Sequence, residues 1–417
     1  MHDHKSAMRV LFLSDVPLTD PASGSEQVLK NQVMRLAKIG IDVCAITRQN
    51  SQTAPFIRDV DGVAEARYGS SRRHNLRLTF SLLYYPHKFF GLLTHHKGFD
   101  TAIIHQPGSF ISLALSGKLR NVTKIYVYHS PWHQEYLLSI PGKQGLTQKI
   151  AARIRLLIER FCLQKVHRII TLSSYMKNML HHTHAVPLEK IEVNPGGVDL
   201  ERFRPLKNRE TEKISRGFPP GRIHLFTVRN LEPRMGLDLL VKCMAILQKA
   251  KVKAHLCIGG DGPERVKIQN LIRELALTDD VTMTGFIPTE LLSSYYGAAD
   301  FFILPTRRLE GFGLVTPESM ACGTPVLGTP VGGTKEILKN FVPRLLFSNT
   351  SPEAMANGIL KAIEKYFNDP KRYFKLRKDC RAYAEINFSW NRHIHQLTAS
   401  MKNARLLNNL NPNGTQV

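Results

Sequence analysis

The segment from residue 300 to residue 328 constrains the fold of this chain more than any other. Asp300-Phe-Phe-Ile-Leu-Pro has the composition of a buried strand, and Leu314–Ala321 predicts a helix that ends at Gly323. Thr324-Pro-Val-Leu-Gly predicts the next strand. This order of strand, loop, helix and strand is typical of α/β folds, in which helices connect parallel strands.

The loop of this unit, Glu310-Gly-Phe-Gly-Leu, predicts a site for a phosphate-bearing ligand. Gly311 and Gly313 allow the backbone to approach a ligand closely, and the N–H groups of the following helix start favour a phosphate. Glu310 and Glu318 would repel that phosphate, so we expect them to receive hydroxyl groups on either side of a diphosphate, as in a nucleotide sugar. The alternative is that Glu310 is solvated, Glu318 lies on the helix surface and the glycines are ordinary turn residues.

Residues 306–333 closely resemble the nucleotide-sugar signature of retaining glycosyltransferases of family four, which share the GT-B architecture. The resemblance implies that Glu310 contacts hydroxyls of the donor sugar and that Glu318 contacts the ribose hydroxyls. It also implies that backbone amides hold the diphosphate. The residues assigned to donor binding on this ground are Gly311, Phe312, Gly313, Leu314 and Val315.

The loop after the first predicted strand contains Gly24 and Ser25, directly before an amphipathic helix at Val28–Ile39. Their amides can face an anion. The loop resembles the family's first-domain glycine loop, which closes on the donor phosphate or the acceptor, although family members often have two glycines where this chain has Ser23 and Gly24. The alternative is a serine N-cap with no ligand.

A histidine-containing loop, Tyr128-His129-Ser-Pro-Trp132-His133-Gln-Glu135, follows another predicted strand and so lies at its ligand-facing end. It resembles the family's His-x-Pro-Trp-x-x-Glu loop, whose histidine reaches the donor sugar near the reaction centre. The resemblance implies that His129 hydrogen-bonds the sugar or the leaving group and does not bind a metal. Trp132 and Glu135 are expected to shape the acceptor site. A single histidine after a strand is otherwise a structural or solvated residue.

Two further turns resemble parts of the family's donor site. Gly259-Gly260-Asp261-Gly262-Pro263 matches a Gly-x-Gly-Pro turn, so Gly260 and Gly262 are assigned to donor binding. Phe286 and Ile287 match the element whose backbone contacts the nucleobase. Neither segment distinguishes among UDP-, GDP- and ADP-sugars.

One segment departs from the family pattern. The family usually has an Arg and a Lys, about five residues apart, just before a glycine after the first strand of the second domain, and these cations neutralise the departing diphosphate. This chain has Asn230 and Met235 at those positions, and the basic residues are displaced by one, to Arg229 and Arg234. We expect a local shift that lets Arg229 and Arg234 act in catalysis; the alternative is a weakened phosphate site.

The rest of the chain alternates predicted strands and helices. Strands are predicted at Arg9–Ser14, Ile41–Thr47, Val63–Tyr68, Thr101–His105, Lys124–Tyr128, Arg168–Leu172, Ile223–Val228, Ala254–Ile258, Val281–Thr284, Phe301–Leu304 and Pro325–Gly328. The polar residues 201–221, with three prolines, predict a linker.

These elements predict the GT-B fold class, an α/β fold with two Rossmann-like parallel-sheet domains that face a cleft. Residues 1–203 are predicted as an N-terminal acceptor domain and residues 204–387 as the C-terminal nucleotide-sugar domain. By the resemblance, a final helix at residues 388–404 packs back on the first domain.

The formal net charge of +23 and the pI near 9.9 indicate an anionic partner surface. Between Glu65 and Glu135 the only acidic residue is Asp100. The basic residues of this segment, interspersed with Phe, Tyr and Leu, are Arg67, Arg72, Arg73, Arg77, Lys88, Lys97, Lys118, Arg120 and Lys124. The mixture predicts docking on an anionic membrane surface, which the basic helix at residues 149–168 could extend. The alternative is a helix with a buried apolar face and a solvated basic face.

The six cysteines are scattered along the chain and predict reduced core thiols, which favours a cytoplasmic location. The N-terminus lacks a signal-peptide pattern, and no apolar run is long enough to span a bilayer. We therefore expect a cytoplasmic protein with a peripheral position at the inner face of the cytoplasmic membrane.

These patterns predict an enzyme that moves a sugar from a UDP-, GDP- or ADP-sugar to a hydroxyl of a lipid-linked or cell-surface glycan, with retention at the anomeric carbon. No cofactor and no metal are expected, because the helix start and the two arginines would take the place of a cation at the diphosphate. The alternatives are a sugar-phosphate synthase or phosphorylase of the same fold, and a noncatalytic basic protein that binds nucleotides or nucleic acid. No segment resembles a nucleic-acid module, so a nucleic-acid partner is not expected.

Overall fold

The computed structural model describes residues 8–19, 23–49, 54–69, 75–95, 97–140 and 144–410. The chain divides into two compact units: Met1–Asn194 with His393–Val417, and Pro195–Arg392. The first unit is therefore discontinuous in sequence, and the boundary predicted after residue 203 lies inside the second unit.

The first unit contains an eight-stranded sheet. Its strands are β1 (Arg9–Ser14), β2 (Asp42–Gln49), β3 (Phe56–Val60), β4 (Val63–Gly69), β5 (Thr101–Ile104), β6 (Thr123–Tyr128), β7 (Arg168–Thr171) and β8 (Ile191–Val193). The helices are α1 (Gly24–Lys38), α2 (Asn75–Leu93), α3 (Gly108–Leu115), α4 (Trp132–Leu138), α5 (Leu146–Gln164) and α6 (Ser174–His184), followed by a short 3-10 turn at Leu188–Lys190. The strand order is β3-β4-β2-β1-β5-β6-β7-β8, and every neighbouring pair is parallel except the β3–β4 hairpin.

The second unit contains a five-stranded parallel sheet with the order β11-β10-β9-β12-β13. Its strands are β9 (Ile223–Val228), β10 (Ala254–Gly259), β11 (Val281–Gly285), β12 (Phe301–Leu304) and β13 (Val326–Gly328). The helices are α7 (Arg209–Ser215), α8 (Leu237–Lys249), α9 (Arg265–Glu274), α10 (Thr289–Ala298), α11 (Val315–Ala321), α12 (Gly332–Phe341), α13 (Pro352–Ala362) and α14 (Pro370–Asn387), with 3-10 turns at Pro233–Met235 and Pro343–Leu345 and a π-helical extension of α13 at Ile363–Phe367. The last helix, α15 (Trp390–Leu410), belongs to the first unit from His393 onward.

Sequence spacing explains how α15 joins the first unit. Ile394, Leu397, Met401 and Ala404 recur at intervals of three and four residues, so they lie on one face of the helix. All four are buried in the cluster that contains β1 residues such as Phe12 and the inner face of α1. Burial of this apolar face holds the C-terminal helix in the core formed by the start of the chain.

Every predicted strand is present, with ends that agree to within two residues, but β3 and β8 were not predicted. The β3 strand at the sheet edge has two charged residues and no apolar–polar alternation, and β8 is three residues long, so neither has a strong hydrophobic pattern. Asp59-Val60-Asp61 is an Asp-x-Asp sequence at the β3–β4 turn, where the Asp59 carboxylate accepts a hydrogen bond from Gly62 N–H. Asp59 therefore has a turn-forming role.

The prediction of a linker at residues 201–221 is wrong in part, because this segment contains α7. Asn208 caps the helix by accepting from Thr211 N–H. Arg209 then reaches Asp300 at the start of β12, with 2.8 Å between Nη2 and Oδ1. Asp300 is 1% exposed, so this ion pair fixes the segment to the second unit.

Two of the cations assigned to a membrane surface have structural roles. Arg67 is buried and contacts the fully buried Glu65 at 2.7 Å. Burial would raise the pKa of Glu65, but hydrogen bonds from Arg67, Leu18 N–H and Thr47 lower it overall. Lys124 donates to two backbone carbonyls, and burial lowers its pKa to about 8. Arg72, Arg73 and the side chain of Arg77 lie outside the described residues.

The six cysteines are all buried as free thiols. Within the described ranges, the helices do not combine the length and apolar character that crossing a bilayer requires.

Candidate active site

The candidate donor site in the second unit begins at the carboxyl ends of three neighbouring strands. The central strand β9 pairs with β10 on one side and β12 on the other. The loops that follow these strands contain Arg229, Gly260 and Glu310 respectively. Ligands of open α/β sheets bind at this edge, where the strand order reverses.

Glu310 is at the centre of this arrangement and is not the solvated residue of the alternative interpretation. It is 7% exposed, and its Oε2 accepts from Arg229 Nη2 at 2.6 Å and from Thr306 Oγ1 at 2.8 Å. Arg229 is itself 8% exposed. The carboxylate is therefore held in one orientation by a buried ion pair and a hydroxyl. Thr306 was not predicted, although it lies four residues before Glu310.

The glycine loop after Glu310 contains backbone conformations that favour glycine. Gly313 has a φ of 78°, and a Cβ there would lie 2.8 Å from Thr334 Oγ1 and 3.3 Å from Glu310 Oε1. Gly332, which was not predicted, has a φ of 58°, and a Cβ there would approach Glu310 O to 1.9 Å. Gly333 N–H donates to the same carbonyl at 2.9 Å. The start of α12 therefore supports the backbone of Glu310.

The predicted diphosphate residues surround the start of α11. Phe312 is buried, and Gly311, Gly313, Leu314 and Val315 are half-buried. Thr316 N–H donates to Gly313 O at 2.8 Å. The structure brings these predicted residues together at one loop beside the Arg229–Glu310 pair.

The two displaced arginines both contact the Glu310 loop. Arg234 donates to Leu309 O at 3.0 Å and to Glu232 at 2.9 Å. Leu309 has a φ of 56°, an uncommon conformation for a leucine, and the bond from Arg234 helps to hold it. Asn230 is exposed, and Met235 is buried with its sulfur 2.8 Å from Arg229 Nη2. Neither arginine is directed into bulk solvent.

Glu318 lies on α11 and is partly buried. Its Oε2 accepts from the Tyr296 hydroxyl at 2.9 Å. Removal from water raises the pKa of Glu318 to about 7, even though the Tyr296 hydrogen bond and the charge of Arg202 act in the opposite direction. A carboxyl group with this pKa changes charge within the physiological range. The Tyr296 contact was not predicted, because α10 is distant in sequence from α11.

The two turns assigned to the donor pack against the strand ends. Gly260 N–H donates to Gly285 O at 2.7 Å, and the neighbouring residue Asp261 accepts from Leu231 N–H at 2.8 Å. Gly262 N–H donates to the Asp261 carboxylate at 2.8 Å. Phe286 is 75% exposed, whereas Ile287 is buried. These turns therefore present Phe286 as an accessible aromatic surface.

In the first unit, the loop with Gly24 and Ser25 forms a capped helix start. Ser23 accepts from Glu26 N–H, and the Glu26 carboxylate accepts from Ser23 N–H at 3.1 Å, which is a capping box. Gly24 is exposed and Ser25 is half-buried. The serine N-cap of the alternative interpretation is thus present, at Ser23.

His129 is the end of a hydrogen-bonded chain inside the first unit. Its Nε2 lies 3.0 Å from His105 Nδ1, and His105 Nε2 lies 3.0 Å from Gln32 Oε1. Gln32 Nε2 lies 2.9 Å from His393 Nε2 at the start of the last helix segment. Sequence reasoning identified His129 alone, because its partners come from α1, α15 and the residue that follows β5.

This chain fixes the proton positions on His129. Burial and the nearby His393 lower the pKa of His129 to about 4, and burial lowers the pKa of His105, so both rings are neutral near pH 7. An amide oxygen accepts, so His105 Nε2 carries the proton and His105 Nδ1 accepts. His129 therefore donates from Nε2, and its Nδ1 has the lone pair that can accept a hydroxyl.

The other two residues of that loop differ in environment. Trp132 is half-buried, and its backbone N–H donates to both oxygens of Glu159 at 3.3 and 3.2 Å. The Arg155 guanidinium lies 5.3 Å from the centre of the Trp132 ring. Glu135 is exposed.

Both units have the strand order of Rossmann-like sheets, extended outward from a central first strand, and two such units define the GT-B class of glycosyltransferase folds. Solved structures agree with this class. Sucrose-phosphate synthase from Thermosynechococcus elongatus superposes with a TM-score of 0.79 at 23% identity, covering 96% of this chain and 100% of that one. The Anabaena protein HepE in complex with UDP-glucose superposes with a TM-score of 0.71 at 17% identity, covering 95% of this chain and 100% of that one.

Sequence comparisons identify the family. The family model "Glycosyl transferases group 1" matches residues 208–386, and "Glycosyltransferase Family 4" matches residues 22–202. The D-inositol 3-phosphate glycosyltransferase of Rhodococcus erythropolis is 26% identical over 97% of this chain and 92% of that protein. The chain belongs to the family four glycosyltransferases and is a hexosyltransferase.

Proposed function

We propose that the second unit binds a nucleoside diphosphate sugar, with Glu310 on the hydroxyls of the sugar and Glu318 on those of the ribose. The observation that carries this proposal is the Glu310 carboxylate, which is buried and oriented by Arg229 and Thr306 beside the glycine loop. Oε2 accepts both of these hydrogen bonds, and Oε1 is directed towards Gly313. A carboxylate fixed in this way is preorganised to receive sugar hydroxyls without reorientation.

The diphosphate is placed at the start of α11, near Gly313, Leu314 and Val315. Arg229 is the residue proposed to neutralise its developing charge, since it lies against Glu310 at this loop. Transfer proceeds with retention in this proposal, as in the family four enzymes that the signature resembles. His129 of the first unit, whose Nε2 is engaged with His105 and whose Nδ1 has the lone pair, is proposed as the histidine that takes part in transfer.

A screen of nucleotide sugars for protection against thermal unfolding tests the donor assignment. A ligand at 100 times its Kd stabilises the native state by about 2.7 kcal/mol, which gives a clear increase in Tm. We expect one class among UDP-, GDP- and ADP-sugars to protect the protein, and Glu318→Gln to weaken that protection. If none of these nucleotide sugars protects the wild-type protein, the donor assignment is wrong.

The proposed acceptor is a lipid-linked or otherwise anionic glycan at a membrane surface, and the first unit has two exposed apolar helix faces that support this. On α5, Leu146 is 74% exposed, Ile150 52%, Ile154 51% and Leu157 50%. This spacing places them on one face of the helix, with the exposed cations Lys149 and Arg153 beside them.

Helix α2 adds a similar surface, with Phe80 61% exposed and Leu83, Tyr84 and Leu92 about half-exposed. The exposed Lys88 lies on the same helix. Exposed rings and aliphatic side chains beside cations suit shallow insertion among anionic headgroups, where each cation contributes about 1 kcal/mol.

Co-sedimentation with vesicles of phosphatidylcholine, alone or mixed with phosphatidylglycerol, tests the membrane proposal. We expect binding that requires the anionic lipid and falls with added salt. Replacing Ile150 and Ile154 by Ser should weaken it, whereas the matched change Ile214→Ser, at a residue 78% exposed in the second unit, should not. Equal pelleting with both vesicle types, or none with either, would remove the membrane proposal and leave the donor assignment intact.

A second candidate acceptor is a soluble phosphate-bearing sugar or polyol, in line with the names of the inositol 3-phosphate glycosyltransferase and sucrose-phosphate synthase relatives. Measuring transfer to phosphorylated and unphosphorylated acceptors in the absence of lipid distinguishes it from the first.

A further inference from the structure

Three side chains on three different helices meet in the first unit away from the His105–His129 chain. His133 comes from α4, Glu159 from α5 and His184 from α6. One ligand atom from each lies within 4.8 Å of the others. His184 Nε2 is 3.0 Å from Glu159 Oε2, and the side chains of these two residues are 0% and 2% exposed.

Several polar atoms around this cluster are buried without a partner. In the part of the chain that the structure describes, Nδ1 of His133, Nδ1 of His184 and the Tyr128 hydroxyl form no hydrogen bond. The Tyr128 ring lies edge-on to the His184 ring, with 6.1 Å between centroids. Each buried polar group without a hydrogen-bond partner costs about 1–3 kcal/mol. Three such groups in one place indicate that a ligand binds there.

Two imidazoles and one carboxylate form the donor set that Zn²⁺ accepts, with one coordination position left for water. The half-buried His133 gives the cluster a side that opens towards solvent. At metal–ligand distances of about 2.0–2.2 Å, the ligand atoms of a tetrahedral site lie roughly 3.5 Å apart. Atoms within 4.8 Å of one another therefore need only a small adjustment. Movement of the more exposed His133 side chain can close this difference.

We propose that His133, Glu159 and His184 form a binding site for a divalent transition-metal ion, with Zn²⁺ as the best match. This departs from the expectation that the chain holds no metal, which was based on the diphosphate site alone. The proposed ion is remote in sequence from that site and belongs to the first unit.

The surroundings of the carboxylate agree with a bound cation. The backbone N–H of Trp132 donates to both Glu159 oxygens. Donors to a ligating carboxylate orient it in the same way in metal sites.

The consequence is a link between the ion and the His129 loop. His133 is four residues from His129, at the start of α4, and the ion would tie this helix to α5 and α6. We therefore expect the ion to order the loop and to take no part in the transfer itself.

Equilibrium dialysis of the full-length protein against ZnCl2, with metal quantified by mass spectrometry, tests the site. The wild-type protein should bind one equivalent more than His133→Asn. His182→Asn, an exposed histidine on α6, is the matched control and should bind as the wild type does. The excess equivalent should raise the Tm of the wild type and of His182→Asn, but not that of His133→Asn.

Cobalt substitution gives a second measurement that does not depend on activity. Co²⁺ bound at a four-coordinate nitrogen and oxygen site absorbs in the visible region, and this band should be absent in His133→Asn. His133 is half-buried, so this variant should fold, and circular dichroism checks that it does. Equal metal content and equal spectra for the wild type and His133→Asn would overturn the proposal and leave an ordinary buried His184–Glu159 pair.

Discussion

The proposed ribose contact at Glu318 predicts that donor binding depends on pH. The pKa of Glu318 is about 7 in the folded protein, because burial disfavours the charged form. Ribose hydroxyls donate to the ionised carboxylate, so donor binding should strengthen as pH rises through 7. If only the ionised form binds well, affinity at pH 6 should be about tenfold weaker than at pH 8.

The assay is calorimetric titration with the protective nucleotide sugar at pH 6, 7 and 8. A nucleotide sugar is preferable to a free nucleoside diphosphate, because its phosphates keep the same charge over this range. Glu318→Gln should bind more weakly than the wild type at pH 8 and show no pH dependence. Glu290→Gln, an exposed glutamate of the same unit, is the matched control and should behave as the wild type does.

The same group makes a linked prediction for stability. A carboxyl pKa that is higher in the folded than in the unfolded state contributes stability below the unfolded value, and this contribution is lost as pH rises through the folded value. A rise from 4.5 to about 7 corresponds to at most about 3.5 kcal/mol, since each pKa unit is worth about 1.4 kcal/mol. Unliganded Glu318→Gln should therefore gain stability relative to the wild type between pH 5 and pH 8. Wild-type affinity and relative stability that are both constant across this range would refute the reasoning.

Two further predictions concern the buried polar networks. Glu310→Gln should abolish transfer and destabilise the second unit by about 3–5 kcal/mol, because it leaves Arg229 buried without a charged partner. Adding Arg229→Met should restore part of the stability but no activity, and denaturant unfolding measures this change. His105→Leu should lower kcat about tenfold, because His129 loses one orienting hydrogen bond. His105→Asn keeps a hydrogen-bond acceptor, so it should recover part of this loss at equal thermal stability. Equal rates for the two variants would contradict a positioning role.

The local elements and the type of site could be predicted from the amino-acid sequence alone. Strands such as Phe301–Leu304 are buried on both faces, so they appear as continuous apolar runs that are visible without any tertiary information. The glycine loop and Glu310 are likewise adjacent in sequence, and their spacing predicted the candidate donor site. Hydrophobic periodicity and turn formation depend on residues that are neighbours in the sequence, so both can be recognised without the structure.

Which side chains are desolvated, and which partners they contact, depends on the tertiary structure. Arg67 has the sequence environment of a surface cation, yet the segments that cover β4 bury it together with Glu65, two residues earlier on the same strand. Arg229 and Glu310 are 81 residues apart in sequence. The hydrogen-bonded residues that begin at His129 include His393, near the C-terminal end of the sequence. Desolvation and ion pairing depend on distant segments that cover a residue after folding, and no local pattern records which segments these will be.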